Sequence, residues 1–402
     1  MTYLNPICAD VGTRNCPCPL AETGDCLVCS RLSGRRACDC RWAGVCVYNE
    51  YIQNGSKVRA RREDRSTEIL QRLWRGDDLV LLQLAVPRGF ALEASQPGSF
   101  LFLKAPGASE LTNVPVSVMA ADAEHGSIWG ALKILSAKTK ALAACEEFLE
   151  VRGVYRSGLL GKGLAGMQAD RIRRLDSGIG EPAEKLQNSD LPARKRWLIL
   201  TKGVGFTPAI NLLRWAAGRI DVHVIADPEK VGEDVIREQF GAWQLENDHI
   251  HLEFQSLAKL LDRLEAASPL LQTDPHAPTS TDPAPHTSDP HAPTSTDPAP
   301  HTSDPHAPAS STHGTLADHP TAPTLQQSNY DRIFLLASDY YIKCLSAAMK
   351  IPPKKLVFCN NFHLCCGEGI CGACGHVDAA GNLSRMCKCR EFSAQDLLLP
   401  EL

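Results

Sequence analysis

Trp197-Leu-Ile-Leu-Thr-Lys-Gly-Val-Gly-Phe-Thr-Pro208 runs an apolar tetrad into a Gly-x-Gly turn and on into residues with helical spacing. A short unbroken apolar run of this kind reads as a strand buried on both faces. Over residues 209–217 the pattern is helical, with Leu212, Leu213 and Ala216 on one side. Asp221-Val-His-Val-Ile-Ala repeats the strand signal, and residues 232–240 repeat the helical one. Strand and helix in alternation predict a parallel, doubly wound domain. A glycine turn between a strand and a helix N-terminus can cradle a pyrophosphate, which makes Gly203 and Gly205 candidate nucleotide contacts; a plain packing turn uses the same residues.

Working upstream, Leu79-Val-Leu-Leu-Gln-Leu-Ala-Val, Ser99-Phe-Leu-Phe-Leu, Val116-Ser-Val-Met and residues 128–135 are short apolar runs. Pro87-Arg-Gly, Gln96-Pro-Gly and Ala105-Pro-Gly punctuate them. Short strands at this spacing predict a small antiparallel barrel within residues 77–165. Residues 51–76, with Arg59, Arg61, Arg62 and Arg65, read as a charged helical connector with a solvated face.

Downstream, the α/β pattern of residues 195–271 is interrupted. The fifteen residues that start at Asp274 are repeated from Asp289, are rich in proline and offer almost no apolar side chains. Residues 272–327 are therefore expected to be disordered, with seven of the 13 histidines as passengers. Arg332-Ile-Phe-Leu-Leu-Ala-Ser and a helix from about Tyr340 resume the domain over residues 328–352.

The bulk composition fits these domains. The chain has 402 residues, 44% hydrophobic and 22% charged, with net charge −4. This length suffices for two or three buried cores. No long basic run suggests a nucleic-acid partner. No apolar stretch reaches the roughly 20 residues needed to span a bilayer, so no membrane association is expected. The N-terminus lacks a cationic start followed by an apolar core, and the expected location is the cytoplasm.

Cysteine departs from this ordinary picture. Of 17, eight lie between Cys8 and Cys46 and seven between Cys359 and Cys389. In a chain of this length and location such clusters point to metal ligation rather than disulfides. Cys366-Gly-Glu-Gly-Ile-Cys371-Gly-Ala-Cys374, followed by Cys387, has the C-x4-C-x2-C…C form of a plant-type [2Fe–2S] site. Its glycines permit positive φ and bring N–H groups to the sulfurs. The fourth ligand returns on a hairpin turning at Ala380-Gly-Asn. Tetrahedral zinc is the competing reading of four thiolates; the glycine-packed x4 spacing favours iron–sulfur, and only Cys366, not Cys365, gives that spacing. At the other end residues 1–50 have little room for a core, so metal would hold them together. Cys16, Cys18, Cys26, Cys29, Cys38 and Cys40 are the candidate ligands of a second site, for zinc or an iron–sulfur cluster, with redox-active thiols as the competitor.

A barrel, a nucleotide domain and a C-terminal cysteine loop, in that order, resemble the dihydroorotate dehydrogenase electron-transfer subunit family. The closer likeness is to sulfide/dihydroorotate dehydrogenase-like FAD/NAD-binding proteins. It rests on Cys-Asn-Asn-x-x-x-Cys-Cys-Gly-Glu-Gly-Ile-Cys-Gly-Ala-Cys from Cys359 to Cys374, and on Cys16-Pro-Cys, Cys26-x-x-Cys29, Cys38-Asp-Cys and Cys46-Val-Tyr.

The resemblance implies a ferredoxin-reductase-like fold, mixed all-β plus α/β: a flavin barrel followed by a doubly wound NAD(P)-binding domain, with a [2Fe–2S] segment at residues 355–402. It implies electron transfer among NAD(P)H, FAD and the cluster, and a redox partner protein or catalytic subunit. Pro115 and Ser117 of Asn113-Val-Pro-Val-Ser-Val match the family's Arg-Pro-x-Ser-Ile flavin strand, but the arginine is missing. Lys138-Thr139 matches a Gly-Thr loop only at Thr139. Gly158-Leu-Leu-Gly161 resembles a later nucleotide-approaching segment, and Ser338-Asp339-Tyr340 the nicotinamide side. Thr201-Lys202 stands where a further small residue is expected. The competing reading is a non-catalytic iron–sulfur protein that has lost flavin or nicotinamide binding.

Overall fold

The computed structural model describes residues 8–40, 42–58, 61–167, 194–218, 220–245, 247–266, 325–378, 381 and 383–397. The elements below belong to one compact unit. The insertion expected to be disordered, 272–327, lies up to residue 324 outside the described residues.

β1 (Arg65–Arg75), β2 (Leu79–Ala85), β3 (Phe100–Lys104), β4 (Val114–Asp122), β5 (Ser127–Lys133) and β6 (Phe148–Tyr155) close into an antiparallel barrel in the order β1-β2-β5-β4-β3-β6. β1 lies inside the stretch whose charges suggested a helical connector. Of its eleven residues only Thr67 is buried, so its own hydrophobicity does not mark it; pairing with β2 and β6 on either side recruits it. β2 is the opposite case. Val80, Leu82 and Leu84 fill the barrel, while Leu79 and Leu81 join the core of the following domain. With both faces covered, the strand shows no alternation.

The second domain contains β8 (Lys195–Lys202), β9 (Ile220–Asp227), β10 (Ile250–Phe254), β11 (Arg332–Leu336) and β12 (Leu356–Cys359). They form a parallel sheet in the order β10-β9-β8-β11-β12, and β7 (Leu159–Leu160) adds antiparallel to the far edge. The expected architecture, an antiparallel barrel followed by a doubly wound α/β domain, is thus the one the chain adopts. Strand order reverses between β8 and β11, and crevices at the carboxyl ends of such a switch point receive ligands. Helix α5 (Phe206–Ala216), which follows β8, is buried almost all round. Its Phe206, Ala209, Ile210 and Leu213 share one core with Met119 of the barrel, as an apolar helix between two layers should.

The turn from β8 to α5 uses its two glycines differently. Gly203 has φ +60°, a conformation glycine reaches at little cost. Gly205 has an ordinary φ, but a Cβ there would lie 1.9 Å from the Leu336 carbonyl oxygen. Gly205→Ala is therefore expected to force α5 off β11 and cost about 3 kcal/mol, read as a lowered urea midpoint with unchanged m-value.

The flanks are small. Before the barrel stand α1 (Pro19–Thr23) and α2 (Val47–Gln53); after the sheet, β13 (Gly375–Val377) and β14 (Leu383–Arg385) make the hairpin that returns Cys387. Among the described residues no helix is long and apolar enough to cross a membrane.

Candidate functional site

A cleft of about 980 Å³ opens at the switch point between barrel and sheet. Side chains alternate along β4, so Val116 and Val118 point into the barrel while Pro115 and Ser117 line the cleft. Phe100, opposite Ser117 in register, and Gly158 complete the barrel wall. From the sheet come Gly203 and Gly205, then Ser338, Asp339 and Tyr340 at the start of the helix Asp339–Ala348. Five of the sequence-derived residues, Pro115, Ser117, Gly158, Gly203 and Gly205, are thus brought to one cavity.

Two others lie elsewhere. Thr139 is the third residue of α4 (Ala137–Ala144), in a capping box with Ser136. Its hydroxyl accepts the N–H groups of Leu135 and Ser136 at 2.9 Å, so it serves its own turn. Gly161 packs beneath β12, where a Cβ would lie 2.5 Å from the Leu356 oxygen. Lys202 faces the cleft but is committed: its Nζ donates to Asp227 at 2.5 Å and Glu229 at 2.6 Å. Burial would draw this ammonium down; the two carboxylates hold it above its ordinary value.

A cleft of this volume has room for a flavin beside a nucleotide. At the head of the β4 strand Asn113 is buried with both amide atoms lacking a hydrogen-bond partner. A buried orphan costs about 1–3 kcal/mol, and Asn113 does not line the cleft. Arg152 supplies a guanidinium from β6, opposite Phe102, which is itself opposite Pro115. Its guanidinium pairs with Glu110 at 3.3 Å and lies over the Phe102 ring. Beneath Gly205, the buried Thr201 hydroxyl likewise has no partner.

Beyond β12 the cleft wall runs through Asn360, Phe362 and Leu364 straight into the cysteine loop. Asn360 is the joint. Its amide nitrogen donates to the Ser157 oxygen at 2.7 Å and the Met386 oxygen at 2.9 Å, and its backbone N–H to the Gly158 oxygen at 3.0 Å. Ser157 Oγ donates to the Cys387 oxygen at 2.7 Å. One residue thereby ties the cleft wall to the strand end carrying Cys387.

Cys366, Cys371, Cys374 and Cys387 converge. Cys366 Sγ accepts the Glu368 N–H, and Cys374 Sγ the Cys387 N–H, each at 3.3 Å. Hydrogen bonding from the Cys387 thiol, ahead of the adjacent amides, draws Cys366 down to about 4 and Cys374 to about 7. Cys387 keeps the proton it donates and is raised. Gly367, at φ +71°, lies flat against Tyr155, where a Cβ would be 2.3 Å from the ring. Cys359 and Cys389 are buried thiols pushed up by burial, to about 12 and about 11.

A single zinc at about 2.3 Å from four thiolates sets the sulfurs about 3.8 Å apart. Among the described residues the only three Cys, His, Asp or Glu ligand atoms mutually within 4.8 Å are those of His223, His251 and Glu253, on β9 and β10. The C-terminal thiols interact in series, Cys371 with Cys366, Cys366 with Cys387 and Cys387 with Cys374; a [2Fe–2S] site also takes four thiolates.

Below the loop lies an ion cluster that sequence reasoning missed. Arg62 donates to Asp10 at 2.7 Å and Glu368 at 3.2 Å, and Lys388 donates to Asp10 at 2.6 Å and Glu368 at 2.8 Å. Arg62 and Lys388 are 3% and 1% exposed, too buried for the solvated face assigned to the arginines. Tyr155 caps the ring, with Arg62 over its face at 4.3 Å and its hydroxyl 3.1 Å from Glu368. The one sequence signal was a lysine between two cysteines, Cys387-Lys-Cys.

No family model matches this sequence, and no curated protein matches it. Solved structures do. An NADH-dependent reduced ferredoxin-NADP oxidoreductase, studied for flavin-based electron bifurcation, shares 13% identity over 82% of this chain and 88% of its own, at a TM-score of 0.47. The ferredoxin reductase of carbazole 1,9a-dioxygenase, in an FAD apo form, shares 13% over 74% and 65%, at 0.37. The Amycolatopsis cytochrome P450 reductase shares 10% over 75% and 70%, at 0.40. These identities are low, and the chemistry of the site is read from its own residues.

Proposed function

We propose that this chain is an electron-transfer oxidoreductase subunit that moves electrons between NAD(P)H, FAD and a [2Fe–2S] cluster, and on to a redox partner protein or catalytic subunit. The carrying observation is Asn360, which joins the wall of the cleft to the loop of Cys366, Cys371, Cys374 and Cys387. When bound, flavin exchanges the hydride of a nicotinamide for single electrons, which the cluster conveys.

The chain's own residues do the positioning. Pro115, Ser117, Phe100 and Gly158 offer a wall for the flavin, with the Ser117 hydroxyl as a hydrogen-bonding group. Gly203 turns the backbone so that the start of α5 faces a pyrophosphate. Ser338, Asp339 and Tyr340 border the nicotinamide side. The amides on Cys366 and Cys374 would stabilise thiolate ligands, and Leu364, two positions before Cys366, lines the cleft. Cys16, Cys18, Cys26, Cys29, Cys38 and Cys40 belong to this reading as metal ligands, zinc or iron–sulfur. The kinship proposed is with sulfide/dihydroorotate dehydrogenase-like FAD/NAD-binding proteins, on the motif from Cys359 to Cys374.

A second reading, an iron–sulfur protein without flavin or nicotinamide binding, draws on Lys202 and Thr139, whose polar groups are already used by their own neighbours. A visible spectrum of the anaerobically purified chain, before and after NADH or NADPH, separates the two. Flavin and cluster bands that both bleach with a nicotinamide are expected. Cluster absorbance without releasable flavin establishes the second reading, and a colourless, zinc-containing protein sinks both.

A further inference from the structure

Among the described residues β10 is the edge strand of the parallel sheet, laddered to β9. Side chains alternate along both strands. Val222 and Val224 of β9, with Ile250, Leu252 and Phe254 of β10, belong to the core of the domain. His223, His251 and Glu253 therefore share the opposite face. In register His251 stands beside His223, and Glu253 is the next residue of β10 on that face. One nitrogen from each imidazole and one carboxylate oxygen lie mutually within 4.8 Å.

These three side chains have the geometry of a ligand set. A tetrahedral ion holding its ligands at 2.0–2.2 Å sets them roughly 3.3–3.6 Å apart. His223 Nε2 is 3.2 Å from Glu253 Oε2, so an ion can replace the hydrogen between them with little movement. His251 is exposed, and its ring centroid is 5.2 Å from that of His223. Rotation of that one side chain closes the third side.

His223 is the fixed point of the group, at 18% exposure against 40% for Glu253. Its Nδ1 is 3.0 Å from the hydroxyl of Tyr330, a buried residue that stands two positions before β11. A metal-ligating histidine donates its other ring N–H to an oxygen partner, which fixes both tautomer and ring orientation. With Nδ1–H donating to Tyr330, the lone pair of Nε2 is left for the ion.

We propose that His223, His251 and Glu253 bind a divalent transition-metal ion of the zinc class, which clasps the edge strand β10 to β9. Two imidazoles and one carboxylate suit zinc, with the fourth position taken by water. None of the three lines the cleft, and none is a cysteine, so the site stands independently of the electron-transfer reading. An edge strand has a ladder on one side only and opens more readily than a central one. An ion bridging His223 to His251 and Glu253 joins the two strands through side chains as well.

The test is zinc uptake by the full-length chain, by equilibrium dialysis against zinc chloride and elemental analysis, compared with His251→Ala and Glu253→Gln. The cysteines are the same in all three proteins, so the difference isolates this site. The wild type is expected to take up about one zinc more per chain than either variant. At ten times the midpoint concentration of zinc, amide exchange in residues 250–254 of the wild type should slow about tenfold, and in the variants not at all. A variant that takes up as much zinc as the wild type overturns the site. Extra zinc without slower exchange in the edge strand overturns the clasp. Should one variant not accumulate, the other decides together with exchange in the wild type.

Discussion

Lys388→Met is expected to destabilise the chain by about 3–5 kcal/mol, the cost of removing one partner from a buried ion group. The residue stands at the centre of a closed ring of two cations and two carboxylates. Its loss leaves Asp10 and Glu368 sharing Arg62 alone, with one negative charge in excess. The measurement is the urea midpoint, with limited proteolysis reporting release of the N-terminal segment. A shift below about 1 kcal/mol, the size found for surface pairs, would show that the ring contributes nothing beyond an exposed salt bridge.

The same ring sets a pH dependence. Burial alone would raise the Asp10 carboxyl, but Lys388 and Arg62 overcome it and hold Asp10 well below its usual range; Glu368 is lowered by the same pair. A carboxyl depressed in the folded state contributes stability above its unfolded value, about 4, and loses it as pH falls toward the folded one. Wild-type stability should therefore fall steeply below about pH 4. The Lys388→Met variant should show a shallower fall, because its carboxylates are held down less.

Cys366→Ser is expected to remove the C-terminal cluster: iron and labile sulfide each fall by about two per chain, and NAD(P)H-driven reduction of a one-electron acceptor falls to background. Cys366 accepts amide N–H groups from Glu368 and Cys371, so the loop is shaped around that sulfur. Cys365, its neighbour, does not fit the x4 spacing, and Cys365→Ser is the control that keeps the cluster. The opposite pair of results, cluster lost with Cys365 and kept without Cys366, would reassign the first ligand. Releasable flavin should be unchanged in both variants, since neither side chain lines the cleft.

What the chain declares locally could be read in advance. The run at Trp197, the double-sided β2 and the Cys366 loop each signal through neighbours in sequence. What escaped depended on partners far away. β1 mixes charged residues with a few apolar ones on both faces, and its pairing with β2 and β6 makes it a strand. Arg62 resembles its exposed neighbours until Asp10 and Glu368 arrive from opposite ends of the chain. Helix α3 (Arg88–Ala94) was hidden by Pro87-Arg-Gly, which reads as a turn; Pro87 instead precedes the helix, whose buried Phe90, Ala91 and Ala94 plug the barrel. β12 was masked by the cysteine motif it leads into. Thr139 and Gly161 show the converse, in that a matching residue type can serve a cap or a close approach instead of a ligand.

The ring that joins Asp10 to Glu368 and Lys388 also fixes an order of events during biosynthesis. Its first carboxylate is made 378 residues before its last cation, and at 5–20 residues per second the interval is roughly 20–80 s. Through that time the nascent N-terminal thiols have no lysine to pair with Asp10 and no glycine loop to rest against. Completion of the cysteine-rich head therefore waits for the loop that carries Glu368 and Lys388.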